Sequence, residues 1–322
     1  MIYIIVLNWN GFSDTIMCLN SLLELNYKKF KIIICDNGST DGSLESIENW
    51  HSERTEKMSA AIPFVKMHAS QIKKNLATSD ESGIYLVDIG ENIGYAGGNN
   101  IGINFALMQD DMEYIWLLNN DTEVDPESLT ELKAAVINHE TVGICGSRLI
   151  YFSERSKLQG LGGVFNPVFC SSTHFKANED AELIFNDIDV SNNIDYVIGA
   201  SMFISRDVLE QIGVLCEDYF LYYEEIDYCL RAQARGFKVF CATKSIVYHK
   251  EGASTKKNTK GILSDYYWVR NRLLISKKFY PKWLFTVYVS LFMTLFNRIK
   301  RGEVIKAKNV MRIILGLNVN FK

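Results

Sequence analysis

The 322-residue sequence is short of proline, paired cysteines and signals for export. Four prolines and no low-complexity tract argue against long disordered linkers. The chain starts with a strand-like run, Ile2 to Leu7, without a basic segment or a small-residue cleavage site, so we expect no secretory signal. None of the seven cysteines forms a CxxC pair, which excludes the common zinc and redox motifs and indicates reduced thiols of a cytosolic protein.

Long apolar runs are missing too, and the charge is unevenly distributed. Residues 283–296 carry no charge over 14 positions, which is short of the roughly 20 residues that a membrane-spanning helix needs. From Lys250 onward there are 16 Lys and Arg against 3 Asp and Glu, a balance of +13, which leaves −17 for residues 1–249. The apolar run is therefore either a buried helix of a C-terminal subdomain or a helix at an anionic membrane surface. No nucleic-acid partner is expected.

Four apolar segments in the first 121 residues each end in a polar turn. The last of them, 114–118, is apolar throughout, which is typical of a strand buried on both faces. Strands that alternate with helices predict an α/β fold with a mostly parallel central sheet. All the turns then lie at the carboxyl edge of that sheet, where ligands bind. The turns are 8–11, 36–42, 90–102 and 119–121.

Other segments break this pattern. Residues 51–83 are mostly polar with mixed charges, which predicts a surface insertion with one helix around 64–76. Residues 160–175, rich in Gly, Val and Phe, predict a hairpin across the face of the site. Two short strands, 237–241 and 245–249, are expected to close the globular part.

Three carboxylates, Glu224, Glu225 and Asp227, lie together at the start of a predicted helix. Acidic residues favour a helix start through the helix dipole alone, so the cluster could be structural. Four aromatic residues within 219–223, of the kind that line the pocket of a ring-shaped ligand, precede it. Adjacent glutamates could also keep one carboxylate basic enough to accept a proton.

Metal and phosphate chemistry has several candidates. His249 ends an apolar strand and could be structural, but with Asp121 and a diphosphate it would complete an octahedral set around Mg²⁺ or Mn²⁺. Arg270 and Arg272 suit phosphate oxygens, although a basic helix face is the alternative. The glycine-rich turn 90–102 has no lysine of a phosphate loop; it could bind an anion or simply permit close packing.

Six motifs together resemble the family 2 glycosyltransferases of the GT-A fold, in particular the bacterial rhamnosyltransferase branch. They are Asn8–Gly11, Asp36–Gly42, Asn92–Asn100, Leu117–Asp121, Gly199–Met202 and Tyr223–Arg231. The resemblance extends over about residues 1–275. It implies a GT-A catalytic domain over 1–250, with the insertion at 51–83, and a basic helical region over 251–322.

The resemblance also implies roles for single residues. Asp36 would read the nucleobase, and Asp121 and His249 would bind Mg²⁺ or Mn²⁺. Asn119 stands where the family has the first Asp of its DxD motif. Glu225 would be the catalytic base with Glu224 and Asp227 as neighbours, and the choice among these three is open. The expected donor-binding residues are Asn8, Asn10, Asp36, Gly94, Asn100, Asn119, Asn120, Arg231, Arg270 and Arg272.

The function implied by the resemblance is a single inverting sugar transfer from a nucleotide-diphosphate donor to a saccharide acceptor. A dTDP-rhamnose donor is favoured over UDP-galactofuranose or UDP-hexosamines, and the acceptor would be a lipid-linked surface polysaccharide of the O-antigen or capsule type. The protein would be cytoplasmic, with peripheral docking on the inner face of the plasma membrane as a further option. A sugar-nucleotide nucleotidyltransferase or a non-catalytic sugar-nucleotide-binding module remains the alternative from another class.

Overall fold

The computed structural model describes residues 1–57, 62–74, 82–250, 258–317 and 319. Within them, ten strands form one mixed sheet and two more form a separate hairpin. The strands are β1 (Ile2–Asn8), β2 (Phe30–Asp36), β3 (Phe64–His68), β4 (Ile84–Asp88), β5 (Tyr114–Asn119), β6 (Thr122–Val124), β7 (Val142–Tyr151), β8 (Leu158–Gly160), β9 (Gly163–Asn166), β10 (Ser171–His174), β11 (Ser201–Ser205) and β12 (Lys238–His249). The helices are α1 (Phe12–Leu23), α2 (Ser43–Lys57), α3 (Gly94–Leu107), α4 (Ser128–Ile137), α5 (Asp187–Ser191), α6 (Arg206–Ile212), α7 (Glu224–Gln233), α8 (Asn258–Phe279), α9 (Leu284–Lys300) and α10 (Val304–Ile314).

The sheet is mostly parallel, in the order β3-β4-β2-β1-β5-β11-β7-β12-β6, with β8 paired to β7. Strands β3, β4, β2, β1 and β5 run parallel to one another, and β7 runs parallel to β12. Strand β11 is antiparallel between β5 and β7, and β6 and β8 are antiparallel to their partners. The sheet and the C-terminal helices confirm the predicted α/β fold class.

The inner strands are buried on both faces, which is why they read as unbroken apolar runs. In β1, Ile4 and Val6 pack into one hydrophobic core, whereas Tyr3 and Ile5 pack into the other. This follows from the two-residue repeat of a strand, which sends alternate side chains to opposite faces. Helices on both sides of the sheet cover these two cores.

Two secondary-structure predictions were wrong. Part of 64–76, expected to be a helix, forms β3 and a short 3₁₀ helix at Ala69–Gln71, because β3 pairs in parallel with the otherwise unpaired edge of β4. The two strands expected within 237–249 are one strand, β12, with a register shift between Ala242 and Ile246. The predicted hairpin over 160–175 is confirmed as β9 and β10. Residues 58–61 and 75–81 of the expected insertion lie outside the described residues.

The C-terminal helices place one face of α9 in the core and the other in solvent. Val287, Leu291 and Leu295 are buried, four residues apart along the helix. Phe285 and Phe296, on the opposite side, are 78% and 67% exposed. Among the described helices none is both long and apolar enough to cross a membrane.

Candidate active site

The carboxyl ends of neighbouring parallel strands bring the predicted donor-site residues together. Asn8 at the end of β1 is in register with Asp36 at the end of β2, and Asn119 of β5 pairs with Leu7 of β1. His249 ends β12 at the same edge, and the Lys250 N–H donates to the Asp121 carbonyl at 2.9 Å. The sheet therefore assembles one polar site from segments more than 200 residues apart.

Asn8 and Asp36 form a buried hydrogen-bonded pair. The Asn8 Nδ2 group donates to Asp36 Oδ2 at 2.6 Å, and the Ser39 N–H donates to Asp36 Oδ1 at 2.9 Å. On its other side, Asn8 Oδ1 accepts a hydrogen bond from Thr15 Oγ1 at 2.7 Å. Asp36 has two oxygens with further lone pairs, so it keeps the capacity to accept from a nucleobase.

Asn10 and Asn120 fix the loops around that pair. Asn10 has a positive φ of 52°, and its Oδ1 accepts from the Thr40 N–H at 2.7 Å, which ties the β1 loop to the β2 loop. Asn120 Nδ2 donates to Thr15 Oγ1 at 3.0 Å and to the Gly11 carbonyl at 3.3 Å. In this conformation, the Asn120 amide supports the loop rather than pointing toward a ligand.

Asp121 and His249 meet at the centre of the edge, and both are more than nine-tenths buried. His249 Nε2 lies 3.2 Å from Asp121 Oδ1, and His249 Nδ1 lies 2.9 Å from Gln159 Oε1. Because a carbonyl oxygen can only accept, a hydrogen bond to Gln159 Oε1 is donated by His249 Nδ1, and this contact orients the ring with Nε2 toward Asp121. The Gln159 contact was not predicted, because nothing in the sequence links β8 to the end of β12.

This arrangement fits a divalent cation. His249 Nε2 and Asp121 Oδ1 are both atoms that can bind a metal, and Asn119, whose Nδ2 lies 3.5 Å from Nε2, has its Oδ1 buried without a hydrogen-bond partner. The 3.2 Å separation is close to the roughly 3 Å between adjacent ligands of an octahedral Mg²⁺. No group of three or more His, Cys, Asp or Glu suited to a metal occurs in the described part of the chain. Further ligands would have to come from the donor or water.

Glu224 and Glu225 begin α7 at the opposite side of the site. Glu225 is half-buried, and a Cβ atom at Gly199 would lie 3.7 to 3.9 Å from its side chain. Burial raises the pKa of Glu225 to about 7. The pKa of Glu224 is raised well above its ordinary value, first by burial and then by the charge of Glu225. One carboxylate oxygen of each has no hydrogen-bond partner.

Tyr95 connects the two sides of the site and was missed by the sequence reasoning. Its hydroxyl donates to the Gly199 carbonyl at 2.8 Å. Its pKa is raised well above the ordinary value by burial, and further by Glu224, Glu225 and Asp121. Tyr95 lies in the glycine-rich turn, for which the sequence predicted either an anion site or close packing and gave no role to the tyrosine.

Asp227, the third candidate base, is an ion-paired structural residue. It is fully buried, with Arg231 Nε at 2.7 Å from one oxygen and Lys278 Nζ at 2.5 Å from the other. Tyr219 Oη donates to it as well, at 3.2 Å. Both oxygens of this carboxylate are therefore already paired within the protein, whereas one oxygen each of Glu224 and Glu225 is without a hydrogen-bond partner.

Four other predicted donor-binding residues make contacts within the protein. The side chain of Arg231 also donates to the carbonyls of Ile212 and Val214, and Asn100 bonds the backbone of Leu215. Arg270 donates to the Asp218 carbonyl and Arg272 to the Phe169 carbonyl. These groups join helices and loops, because each faces backbone carbonyls that lack a partner in regular secondary structure.

Gly94 is needed for packing rather than for an open anion site. It has a φ of +83°, and a Cβ atom there would lie 2.6 Å from Phe220 Cδ2. The first N–H groups of α3 are already used, since Gly94 donates to Asn92 Oδ1 and Tyr95 to the Phe220 carbonyl at 2.6 Å. The alternative of close packing therefore describes this turn.

Comparisons with known proteins agree with this geometry. A model of the family "Glycosyltransferase like family 2" matches residues 1–267. The chain belongs to this family. Its members are glycosyltransferases, so the enzyme class expected from the motifs is confirmed at that level.

Individual relatives are more distant. The low-salt glycan biosynthesis hexosyltransferase Agl10 of Haloferax volcanii is 27% identical over 242 residues, which is 74% of each chain. The dTDP-rhamnosyl transferase RfbF of Shigella flexneri is 24% identical over 214 residues, 64% of this chain and 67% of RfbF. The mannosyltransferase PcManGT of Pyrobaculum calidifontis, solved with GDP-Man and Mn²⁺, has a TM-score of 0.54 at 12% identity. That comparison covers 98% of this chain and 86% of PcManGT, and it supports the fold.

Proposed function

We propose that this family 2 glycosyltransferase transfers a sugar with inversion from a nucleotide-diphosphate donor to a saccharide hydroxyl, with Glu225 as the base. The observation that carries the proposal is the half-buried Glu225 carboxylate, which has a pKa of about 7 and faces Gly199. A base works best when its pKa is close to the operating pH. Asp227, the competing carboxylate, is occupied by two cations.

In this proposal, one group of residues binds the donor and another activates the acceptor. Asn8, Asn10 and Asp36 bind the nucleoside, and Glu225 accepts the proton of the acceptor hydroxyl. The acceptor oxygen then bonds to the anomeric carbon, and the bond from that carbon to the phosphate oxygen breaks, leaving its electron pair on the diphosphate. A divalent ion held by Asp121 and His249 would supply positive charge where the diphosphate gains negative charge.

The favoured donor is dTDP-rhamnose, with UDP-galactofuranose, UDP-hexosamines and GDP-mannose as competitors. Support comes from the motifs and from the likeness to a dTDP-rhamnosyl transferase. A thermal-shift screen of these donors with Mn²⁺ tests this choice, because a ligand at 100 times its dissociation constant adds about 2.7 kcal/mol. A strong shift with another sugar, and none with dTDP-rhamnose, would exclude the rhamnosyl assignment.

Glu225→Gln separates an enzyme from a non-catalytic binding module. We expect the variant to keep the thermal shift caused by the donor and to lose transfer by roughly 10²- to 10⁴-fold, the usual contribution of a general base. The matched control is Glu140→Gln, an exposed carboxylate on a loop. Unchanged turnover in Glu225→Gln would remove Glu225 from the mechanism.

The acceptor of the proposal is a lipid-linked saccharide of a surface polysaccharide, presented at an anionic membrane. Helix α9 exposes one continuous apolar stripe, with Phe285 78%, Phe292 52% and Phe296 67% exposed. The stripe continues onto α10, where Val304 is 74% exposed. Exposed basic residues border it, and they complement anionic headgroups. They are Lys282, Lys300, Arg301 and Lys308.

Vesicle sedimentation tests this membrane surface. We expect the full chain to sediment with vesicles that contain anionic lipid at low salt, and to do so less as salt rises. The double substitution of Phe292 and Phe296 by Glu should weaken partitioning by roughly 30-fold or more, from the lost burial of two half-exposed rings. Ile184→Glu, at a 97% exposed site elsewhere, is the control and should bind normally. Equal binding of all three proteins would contradict the proposal.

A further inference from the structure

The loop before α7 has an unusual backbone. Phe220, Tyr222 and Tyr223 have positive φ angles of 57°, 67° and 76°. Bulky residues rarely adopt this left-handed region, and such conformations persist only where the surrounding structure holds them. The last of the three is the residue that caps α7, so this loop determines the direction in which Glu224 and Glu225 project.

A single buried side chain of α8 holds that loop. Asn271 is fully buried, and its Nδ2 group donates to the carbonyls of Tyr219, Leu221 and Tyr222 at 2.9, 2.8 and 2.8 Å. An amide has two hydrogens, so three carbonyls share them. The Tyr219 carbonyl also accepts from the Leu221 N–H at 2.6 Å, and Asn271 is the side-chain donor that joins this carbonyl to those of Leu221 and Tyr222.

Other residues of α8 support the same loop from both sides. The Tyr267 ring stacks on Phe220 with centroids 4.8 Å apart, and Arg270 donates to the Asp218 carbonyl at 2.7 Å. Lys278 reaches Asp227 of α7 at 2.5 Å. Asn271 lies beyond the region 1–267 that matches the family model, so the match assigns it nothing.

We propose that Asn271 is the positioning residue that holds loop 219–223 in its left-handed conformation and thereby aims Glu225 at the acceptor hydroxyl. Asn271 acts through the loop backbone and contacts neither Glu225 nor the Asp121–His249 pair. This inference rests on the proposed function, in which Glu225 is the base. The competing explanation is that Asn271 only stabilises the packing of α8 on the rest of the fold.

Hydrogen–deuterium exchange of the full chain tests whether Asn271 holds loop 219–223, and it needs no substrate. In Asn271→Ala we expect faster exchange of the amides of 219–227, where the Asp227 N–H donates to the Tyr223 carbonyl. Val269→Ala is the matched control, since it removes buried packing from the same helix but no hydrogen bond to the loop. Exchange in this loop that is equal in the two variants would overturn the proposal.

Transfer kinetics with the donor found in the thermal-shift screen test the consequence for catalysis. We expect Asn271→Ala to lower kcat by roughly 100-fold, the effect of a misplacement of about 1 Å, with little change in donor KM. Val269→Ala should lose activity only in proportion to the folded protein. Asn271→Ser, which keeps one donor, should lie between wild type and Asn271→Ala, and it replaces that variant should Asn271→Ala not fold.

The pH dependence of kcat gives a readout that a stability effect alone would not move. The titratable groups around Glu225 are Glu224 and Cys229 on its own helix, Tyr223 at the start of that helix, and Tyr95 and Tyr196 from other segments. A loosened loop admits water to Glu225 and so favours its ionised form. In Asn271→Ala the acidic midpoint of the kcat profile should therefore move to lower pH, toward the ordinary range of a carboxylate. An unmoved midpoint together with wild-type kcat would refute the positioning role. If the wild type transfers no sugar, the proposed function fails, but the exchange experiment still shows whether Asn271 holds loop 219–223.

Discussion

Glu225→Gln should make the protein more stable at alkaline pH while it removes transfer. Burial raises the pKa of Glu225 from 4.5 to about 7, so the folded state holds a proton that the unfolded state has already lost. At 1.36 kcal/mol per pKa unit, the ionised carboxylate costs the folded protein about 3 kcal/mol above pH 8. A glutamine of the same shape carries no charge and avoids this cost.

The effect has a defined pH window. Below about pH 4, Glu225 is protonated in both states, and wild type and variant should have similar stability. Between the unfolded value of 4.5 and the folded value of about 7, the wild type loses stability relative to the variant, and above this window the difference is constant. The pH dependence that persists in the variant belongs to Glu224, whose pKa is also raised by burial.

Urea denaturation of both proteins at pH 4, 6 and 8.5 measures the difference in the free energy of unfolding. We expect almost no difference at the lowest pH and about 1 to 3 kcal/mol in favour of Glu225→Gln at the highest. Glu140→Gln, at an exposed site, should show no such trend. A variant that is destabilised equally at all three values would refute the assignment of Glu225 as a buried, proton-holding carboxylate.

Three further predictions use the same protein. The kcat/KM of wild type should rise with pH through an apparent pKa of about 7, because Glu225 must lose its proton to act as a base; a flat pH profile would contradict this. Asp227→Asn should lower the free energy of unfolding in urea by about 1.5 to 3 kcal/mol, because it removes charged hydrogen bonds to Lys278 and Arg231, which stay partly exposed to water; a stable but inactive variant would favour Asp227 as a candidate base. Gly94→Ala should lower the melting temperature by several degrees, as its Cβ would meet Phe220 at 2.6 Å and its φ is +83°; an unchanged melting temperature would show that the loop moves freely.

The sequence was sufficient to predict the sheet edge at which the candidate donor-site residues lie. Apolar runs that end in polar turns placed Asn8, Asp36 and Asp121 at one edge, because parallel strands share their carboxyl side. His249 also fell at that edge, since it ends a strand of the same direction. The placement of Asn8, Asp36 and Asp121 depended only on local patterns and on one general property of α/β sheets, whereas the role expected for His249 came from its residue type and from the family resemblance.

The roles of the charged residues could not be predicted in the same way. Asp227 and Glu225 are two positions apart on α7, and only the packing of α8 shows that one meets Lys278 while the other remains without an ionic partner. Likewise, Arg272 binds the Phe169 carbonyl over a separation of 103 residues. A motif shows which residue types are present, but only the tertiary structure shows which of those side chains already pair with other groups of the protein.

The metal site yields a last prediction, about the order of binding. Asp121 and His249 supply one negative charge between them, and Asn119 in place of a carboxylate adds none. A site with so few charged ligands should bind free Mn²⁺ weakly, with a dissociation constant of about 10⁻⁴ M or higher, because affinity depends on the charge and number of the ligands. Titration calorimetry should show weak binding to the free protein and much tighter binding when a nucleoside diphosphate is present.

The Gln159 contact makes this prediction specific to the chain. Gln159 Oε1 lies 2.9 Å from His249 Nδ1, and this contact orients the ring so that Nε2 lies 3.2 Å from Asp121 Oδ1. Gln159→Leu removes this restraint, and we expect it to lower Mn²⁺ affinity in the presence of the diphosphate by roughly 10- to 100-fold. Tight binding of Mn²⁺ to the free protein, or equal affinity in Gln159→Leu, would mean that the ion is held by other groups. Weak binding that depends on the diphosphate would instead show that the donor brings the missing charge, since the protein itself provides only Asp121.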